Sequence, residues 1–255
     1  MNKPQLSVVI PTCKELDNLR LLCPWIARVV KQANIPTEIV VVDDDTADGS
    51  EEWAQGPHDW LGGKVQFRFI SRKAQRGLVS AWQRGVAEAA ADVMAIMDAD
   101  LCHDPAYLPV MLKALAGNDM VIGSRYLPAR LARMPDKNWL AVILSRCGQY
   151  LCRGLLGLPY RDVSHSFRMF RSSSGGSALQ HVLCKGNAAM VEHVYLLHEA
   201  GGRIVEIPVS YGKRVHGKTK LRVSREGIGL LATLLRLRLL KNKNGRIIKL
   251  GYEQV

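Results

Sequence analysis

The sequence predicts an α/β fold in which a mostly parallel β-sheet carries helices on both faces. Through residues 1–125, short apolar runs typical of buried strands alternate with segments of helical periodicity roughly 10 to 18 residues long. Strands that are apolar on both sides belong to covered sheets, and helical crossovers between them make neighbouring strands parallel. We therefore expect one layer of strands between two layers of helices.

The predicted strands are short and rich in β-branched residues. Glu38–Val42 is a continuous apolar run, whereas Lys64–Ile70 alternates as a half-buried strand does. The predicted strands are Gln5–Ile10, Glu38–Val42, Lys64–Ile70, Val93–Met97, Asp119–Ile122 and Arg203–Val209.

The predicted helices repeat apolar residues every three or four positions. They are Glu15–Lys31, Gly77–Ala91, Pro105–Ala116, Trp139–Leu158, Asn187–Ala200 and Val223–Leu240. Pro24 lies within the first helix and predicts either a kink or a later start. Ser172–Ser177 consists of small residues and is expected to be a loop.

Polar residues follow four of the predicted strands. They are Pro11–Glu15, Asp43–Thr46, Asp98–Asp100 and Gly123–Tyr126. Ligands of open α/β sheets bind beyond the carboxyl ends of the strands, so we expect these segments to converge on one crevice.

The charge of the chain is concentrated in its C-terminal part. The 255 residues are 47% hydrophobic and 23% charged, which excludes a disordered, collagen-like or disulfide-scaffold protein. The formal net charge is +12, yet residues 211–255 alone hold 12 Lys/Arg against Glu226 and Glu253. A basic segment on a nearly neutral body predicts a polyanionic partner, such as a nucleic acid, an anionic membrane or a phosphorylated substrate.

The cysteines and the hydropathy pattern indicate a reducing compartment. The 6 cysteines form no C-x-x-C pair, which favours free thiols in the cytosol. The apolar run before Pro11 is too short for a secretory signal. The sequence contains no run of 18 apolar residues, so it predicts no membrane-spanning helix. We expect one domain with a C-terminal appendage.

Asp98-Ala99-Asp100 is the sharpest chemical signal. Two carboxylates separated by a small residue can hold Mg²⁺ or Mn²⁺ and leave positions open for substrate phosphates. Taken alone, two such Asp residues after a strand are more typical of helix capping or of a turn than of a metal site. The adjacent acids of Asp43–Thr46 strengthen the metal interpretation, because a second acidic strand end favours a nucleotide whose base or sugar hydroxyls the carboxylates would bind. Capping by Thr46 or Asp48 is the alternative, and the chain has no dinucleotide-binding or P-loop glycine motif.

The order of these motifs resembles that of family-2 glycosyltransferases. The branch that matches best is typified by dolichol-phosphate mannosyltransferase and bacterial polyprenyl-phosphate glycosyltransferases. The resemblance rests on the four strand-end segments together with Asp162–Arg168 and Arg214–Lys220. It implies a GT-A, Rossmann-like domain over residues 1–222, with an interfacial helix near 139–158. Residues 223–255 would form a basic amphipathic helix and tail.

The resemblance also assigns roles to residues of this chain. Asp98 and Asp100 would hold the metal, and catalysis would rest on Asp100, Arg125, Arg214 and Lys220. The acceptor would contact Ser124, Asp162 and Arg168. The nucleotide-sugar site would comprise Pro11, Cys13, Glu15, Val42, Asp44, Asp98, Ala99, Asp100, Arg125, Arg214 and Lys220.

Five residues at three places depart from the family pattern. Cys13 and Lys14 stand where an aromatic residue and Asn are usual, which bears on base stacking. Cys102 occupies the place of a metal-binding Gln in some relatives, and a thiol is a poor ligand for Mg²⁺. His165-Ser166 replaces Ser-Gly in a loop near the site.

The implied reaction is inverting transfer of a sugar, mannose from GDP-mannose, to a polyprenyl or dolichyl phosphate. The implied cofactor is Mg²⁺ or Mn²⁺, and the protein would lie on the cytoplasmic face of an anionic membrane, with or without a membrane partner subunit. The alternative is a UDP-sugar donor (glucose or N-acetylhexosamine) acting on polyprenyl phosphate or another acceptor. A nucleic-acid-binding module is the remote alternative, because Tyr211 and Tyr252 are the only aromatic residues of the basic segment.

Overall fold

The computed structural model describes residues 3–44, 47–73, 75–127, 139–212 and 223–240. Within this part of the chain, a 7-stranded sheet has the strand order β3-β2-β1-β4-β6-β5-β7. The strands are β1 (Leu6–Thr12), β2 (Thr37–Asp43), β3 (Val65–Ser71), β4 (Val93–Ile96), β5 (Met120–Ser124), β6 (Arg168–Arg171) and β7 (Ile204–Pro208). The sheet confirms the predicted α/β class.

One strand of the sheet runs against the others. β6 pairs antiparallel with both β4 and β5, whereas β1 pairs parallel with β2 and β4. β6 is not predictable from the periodicity of the sequence, because Arg168–Arg171 is four residues long with a charge at each end. Its insertion moves β5 one place away from β4, with consequences for the site.

The helices cover the sheet on both sides, as predicted. They are α1 (Leu16–Gln32), α2 (Ser50–Gln55), α3 (Leu78–Glu88), α4 (Leu108–Ala114), α5 (Trp139–Leu156), α6 (Ser177–Gln180), α7 (Ala188–Glu199) and α8 (Val223–Leu240). One core packs α1 and α4 on one face of the sheet, and a second packs α3, α5, α7 and α8 on the other. Because both faces are buried, β1 and β2 are buried along their whole length.

The first predicted helix, Glu15–Lys31, is confirmed, whereas the loop expected at Ser172–Ser177 is wrong. The first helix does not start late: α1 begins at Leu16, where the Asp48 carboxylate accepts the Leu16 N–H at 3.2 Å and so satisfies a free donor of the first turn. Pro24 lies inside this helix. Ser172–Gly176 is a short π-helix rather than a loop, and it continues into α6.

Helix α8 packs on α5 and α7 while leaving a row of leucines in solvent. Leu234 and Leu237 are buried in the core, whereas Leu231, Leu235 and Leu239 are 48%, 54% and 80% exposed. Residues four apart lie on one side of a helix, so the three exposed leucines form a stripe. No helix within the described ranges is long and apolar enough to cross a membrane.

Candidate functional site

A cleft of about 740 Å³ opens at the carboxyl ends of β1, β2 and β4. The start of α3 forms one side of it, and the segment 182–187 between α6 and α7 forms another. The predicted site residues that line it are Pro11, Cys13, Glu15, Asp44, Asp98, Ala99 and Asp100. The structure therefore brings together the residues of three predicted strand ends.

The fourth strand end does not belong to this cleft. Gly123–Tyr126 follows β5, and none of its residues lines the cleft. The reason is the strand order, because the antiparallel β6 lies between β4 and β5. The expectation that all four segments converge on one crevice was thus wrong for Gly123–Tyr126.

The acid pair comes directly after β4 and faces the cleft. Asp98 Oδ2 accepts a hydrogen bond from Ser166 Oγ at 2.6 Å, and Asp100 Oδ1 accepts from the Cys102 N–H at 3.1 Å. Leu101 has φ 63°, so the chain turns through the left-handed region immediately after the pair.

These carboxylates suit a hard divalent cation. The described residues contain no group of three or more His, Cys, Asp or Glu side chains arranged to hold a metal. Two carboxylates beside an open cleft fit Mg²⁺ or Mn²⁺, because such ions take one or two protein carboxylates and fill the remaining positions with water and substrate phosphate. Asp98 and Asp100 are the residues that would hold it.

Two buried histidines lie beneath the acid pair. His103 Nδ1 accepts the Asp98 N–H at 3.1 Å, and the His103 ring stacks on Phe167 at 4.9 Å and meets His165 edge-on at 4.9 Å. Burial lowers the pKa of His103, and it lowers that of His165 well below the usual range. The floor of the site is therefore uncharged at neutral pH, which leaves the negative charge of the carboxylates available to a cation.

His165 also accounts for one departure from the family pattern. Its Nδ1 bonds to the Gly123 carbonyl, so the side chain ties the loop before β6 to the end of β5. Ser166, the second departure, supplies the hydroxyl that donates to Asp98. Both replacements thus form specific contacts at the site.

Arg72 compensates the acidic cluster after β2. Its guanidinium pairs with the Asp44 carboxylate, whose Oδ2 also accepts the Gly77 N–H at 2.8 Å. The Asp43 carboxylate accepts from Thr12 Oγ1 at 2.8 Å. The sequence analysis missed Arg72, although a basic residue directly after the β3 strand was a signal for it.

Of the two residues considered as helix caps, Thr46 lies outside the described residues, and Asp48 bonds to two helix starts. Its carboxylate accepts the N–H groups of Leu16 and Ser50, which begin α1 and α2. Asp43 and Asp44 are held by other partners, and Asp44 lines the cleft.

Glu15 and Val42 differ in where their side chains lie. Glu15 lines the cleft, and its Oε2 accepts from Asn18 Nδ2 at 2.6 Å. Val42 is fully buried in the core beneath α3, where a Cβ built on Gly85 would come within 3.0 Å of its Cγ2. The Val42 side chain therefore packs in the core, and the predicted part of Val42 in the nucleotide-sugar site stays a prediction.

Arg125, which does not line the cleft, is held by a buried carboxylate. Its Nε and Nη2 each lie 2.8 Å from an oxygen of Asp162, which is 0% exposed. Burial disfavours the guanidinium, but Asp162 more than offsets this, so the pKa of Arg125 is raised. The guanidinium also lies 5.4 Å from the ring of Tyr126 and 5.7 Å from that of Tyr211.

The three predicted acceptor residues are all buried. Ser124, Asp162 and Arg168 are each 0% exposed. Arg168 donates to the carbonyls of His165 and Met190, each at 3.1 Å, and burial lowers its pKa to about 9. A side chain enclosed in this way braces the chain rather than contacting an acceptor, so the expectation for Arg168 is corrected. Asp162 bonds to Arg125, and the predicted acceptor roles of Ser124 and Asp162 stay predictions.

The sequence analysis missed two walls of the cleft. One is Gln75–Ala81 at the start of α3, and the other is Val182–Asn187, which includes the exposed Lys185. Neither segment carries a motif, because they contribute through their position in the fold. Arg214 and Lys220 lie outside the described residues, so their predicted phosphate contacts stay predictions.

Comparison with known sequences places the chain among sugar-transferring enzymes. A sequence model of Glycosyl transferase family 2 matches residues 7–175. Dolichol-phosphate mannosyltransferase of Pyrococcus furiosus is 34% identical over 224 residues, covering 86% of this chain and 59% of that protein. The protein of the same name from Mycosarcoma maydis is 32% identical over 225 residues, covering 86% of this chain and 74% of its own. Undecaprenyl-phosphate mannosyltransferase of Micrococcus luteus is 29% identical over 220 residues, covering 84% and 86%.

Solved structures share the fold at low sequence identity. Glucosyl-3-phosphoglycerate synthase from Mycobacterium tuberculosis, crystallised with Mn²⁺, UDP and glucosyl-3-phosphoglycerate, superposes with a TM-score of 0.62 at 17% identity. That comparison covers 94% of this chain and 82% of the other. The same enzyme with Mn²⁺, UDP-glucose and phosphoglyceric acid gives a TM-score of 0.65 at 16% identity, with the same coverage.

Proposed function

The chain belongs to glycosyl transferase family 2, and we propose that it transfers a sugar from a nucleotide donor to a polyprenyl phosphate with inversion at the anomeric carbon. The observation that carries the proposal is that Asp44 and the acid pair Asp98 and Asp100 share one cleft at the strand ends. The chain spans 59% of the length of the Pyrococcus furiosus relative, so the substrates of the whole protein are part of the proposal.

The donor would lie along the cleft, with its diphosphate at the acid pair. Asp98 and Asp100 would hold Mg²⁺ or Mn²⁺, which when bound neutralises the charge of the leaving diphosphate. Pro11, Cys13 and Glu15 would line the pocket for the base and ribose. The Asp44 carboxylate is held by Arg72 and the Gly77 N–H, so it would meet the nucleoside in a fixed orientation.

The acceptor phosphate is ionised at neutral pH, so its oxygen can attack without a strong general base. The attacking oxygen bonds to the anomeric carbon as the bond to the donor phosphate breaks, and the nucleoside diphosphate leaves. Catalysis then consists of positioning the reactants and neutralising phosphate charge. We assign the phosphate role to Arg125, Arg214 and Lys220, because Arg and Lys side chains neutralise phosphate charge.

The leucine stripe of α8, formed by Leu231, Leu235 and Leu239, fits contact with a membrane. An amphipathic helix with exposed leucines and nearby Lys and Arg binds the headgroup region of anionic bilayers. Arg236 and Arg238 lie on the same helix, and residues 241–255 add further basic side chains. We therefore place the protein at the cytoplasmic face of a membrane, where a membrane subunit could add to its anchoring.

We propose GDP-mannose as the donor, because the relatives are named as mannosyltransferases. A UDP-sugar is the second candidate, because the glucosyltransferase structures of the same fold bind UDP. A donor screen separates the two: radiolabelled GDP-mannose, UDP-glucose and UDP-N-acetylglucosamine are each incubated with polyprenyl phosphate and Mg²⁺ or Mn²⁺. We expect label from GDP-mannose to enter the organic phase. If label enters the organic phase only from a UDP-sugar, that UDP-sugar is the donor in place of GDP-mannose. If label enters from none of the three, the proposed function is rejected.

A further inference from the structure

The wall of the cleft formed by residues 182–187 is held from behind by one buried carboxylate. Glu192 of α7 is 3% exposed, and its Oε2 accepts the N–H groups of Leu183 at 3.1 Å and Cys184 at 2.8 Å. Glu192 itself does not line the cleft. The carboxylate therefore fixes the backbone of the wall without reaching the ligand space.

The other oxygen of Glu192 connects the wall to α8. Arg236 pairs with Glu192 Oε1 and also lies 3.2 Å from the Cys184 sulfur. A carboxylate that accepts two N–H groups and an Arg is fully compensated, whereas removing one partner leaves a buried charge unpaired. The Glu192 carboxylate thus joins the wall, α7 and α8.

A thiol adds a second connection to α8. Cys184 Sγ lies 2.9 Å from Thr233 Oγ1, and that hydroxyl donates to the Gly229 carbonyl at 2.8 Å. Since a hydroxyl has one hydrogen to donate, the Cys184 S–H is the donor in this pair. Burial raises the pKa of Cys184 to about 11, which keeps that hydrogen in place. Both connections place the segment 182–187 relative to α8.

The wall includes one lysine that lines the cleft. Lys185 is exposed and lines the same cleft as Asp98 and Asp100. A donor held at the acid pair carries a diphosphate, and a Lys facing that cleft is the side chain of the wall that can neutralise it. The position of this ammonium depends on the backbone that Glu192 holds.

Building on the proposed transfer reaction, we propose that Glu192 is a positioning residue for the donor. It holds the segment 182–187 so that Lys185 meets the donor diphosphate, and Arg236 fixes Glu192 from α8. A contact made equally in the bound donor and in the transition state changes KM and leaves kcat unchanged. The expected signature is therefore a loss of donor affinity rather than of turnover.

The kinetic test compares Glu192→Gln and Arg236→Met with a matched control, Glu38→Gln. Glu38 is also a buried carboxylate, paired with Arg68 at 3.0 Å and accepting the Ala90 N–H at 2.9 Å, but it lies at the opposite end of the sheet from the cleft. At saturating acceptor, both test variants should raise the donor KM about tenfold with kcat within about twofold of wild type. Glu38→Gln should leave both constants unchanged.

Further variants and amide exchange test whether Glu192 acts through the segment 182–187 and Lys185. Lys185→Met should raise the donor KM to a similar extent, and combining it with Glu192→Gln should add little, because both changes remove the same contact. Amide hydrogen exchange at Leu183 and Cys184 should quicken in Glu192→Ala and stay slow in the Glu38→Gln control. Arg236→Lys should restore part of the lost affinity, since it retains the charge.

Three results would overturn the positioning role. They are an unchanged donor KM in Glu192→Gln, a fall in kcat in place of the KM effect, and fully additive effects of the Lys185 and Glu192 changes. If the wild-type protein transfers no sugar, the proposed function fails instead. The exchange rates at Leu183 and Cys184 then still test the hold of Glu192 on the wall.

Discussion

Arg125 and Asp162 form a two-pronged ion pair, with Nε and Nη2 of the guanidinium each 2.8 Å from a carboxylate oxygen. Asp162 Oδ2 also accepts the Arg125 backbone N–H at 3.0 Å, so both the main chain and the side chain of Arg125 are fixed. The carboxylate is wholly buried and the guanidinium nearly so. This pair gives Arg125 a preset orientation, on which its proposed phosphate role depends.

Replacing Asp162 by Asn should separate stability from phosphate binding. Asn keeps one acceptor for the guanidinium but leaves Arg125 without a compensating charge, so the free energy of unfolding should fall by about 3 kcal/mol. Transfer activity should fall about 100-fold, because the orientation of Arg125 is lost. Urea unfolding and initial transfer rates measure the two effects. Wild-type activity in a folded Asp162→Asn protein would show that Arg125 needs no such orientation.

Two glycines should respond in opposite ways to substitution by Ala. A Cβ on Gly85 would lie 2.4 Å from Val9 Cγ1, so Gly85→Ala must push α3 away from β1. We expect a loss of about 1–3 kcal/mol of stability, as for other overpacked cores. Gly154 in α5 has nothing within 4 Å of such a Cβ, so Gly154→Ala should gain about 0.5–1 kcal/mol from helix propensity. Thermal unfolding measures both, and equal effects of the two changes would contradict this packing.

His193 should make the protein less stable as the solution becomes acidic. Burial lowers the pKa of His193 to about 3, while the residue titrates near 6.5 in an unfolded chain. Between these two pKa values the unfolded chain binds a proton that the folded chain excludes. The free energy of unfolding is therefore highest above the pKa of the unfolded chain and decreases as the pH falls below it. The contribution is about 1.4 kcal/mol per pH unit.

The variant His193→Gln tests this contribution. Gln retains a donor for the Gly175 carbonyl, which His193 Nε2 contacts at 2.7 Å, but it does not titrate. Urea unfolding between pH 6 and pH 4.5 should show a slope shallower by about 1.4 kcal/mol per pH unit in the variant. Identical slopes in the two proteins would mean that His193 takes up its proton while folded.

Charging the leucine stripe of α8 should weaken membrane binding. Leu235 is 54% exposed, so Leu235→Glu costs little folding energy but places a carboxylate against the bilayer. Val110 on α4 is 52% exposed and belongs to the opposite face of the sheet, which makes Val110→Glu the matched control. Cosedimentation with anionic vesicles should fall at least about tenfold for Leu235→Glu alone. Equal losses in both variants would locate the contact elsewhere.

The sequence predicted the fold well where periodicity is regular. Leu19, Leu22, Ile26 and Val30 recur at helical spacing and are all buried on one face of α1. β6 was missed because a four-residue segment has no measurable period, and its partners β4 and β5 are distant along the chain. Strand order depends on such pairings, so the exclusion of Gly123–Tyr126 from the cleft could not be predicted.

The site was predictable to the extent that its residues form local motifs. Asp98, Asp100 and Asp44 follow strands directly and line the cleft as expected. Arg168 belongs to a local motif, but its side chain points into the interior, where the guanidinium donates hydrogen bonds to main-chain carbonyls. Lys185 and Glu192 carry none, since their roles depend on how α7 and α8 pack beside the cleft.

The most direct test of the account is the transfer of radiolabelled mannose from GDP-mannose to polyprenyl phosphate by the wild-type protein and by Asp100→Ala. With Mg²⁺ or Mn²⁺ the wild-type protein should move label into the organic phase. Asp100→Ala, or a chelator added to the wild type, should reduce the rate at least about 1000-fold while the protein stays folded. Full transfer by Asp100→Ala in the presence of chelator would contradict the assignment of the acid pair as the metal-binding centre of the reaction.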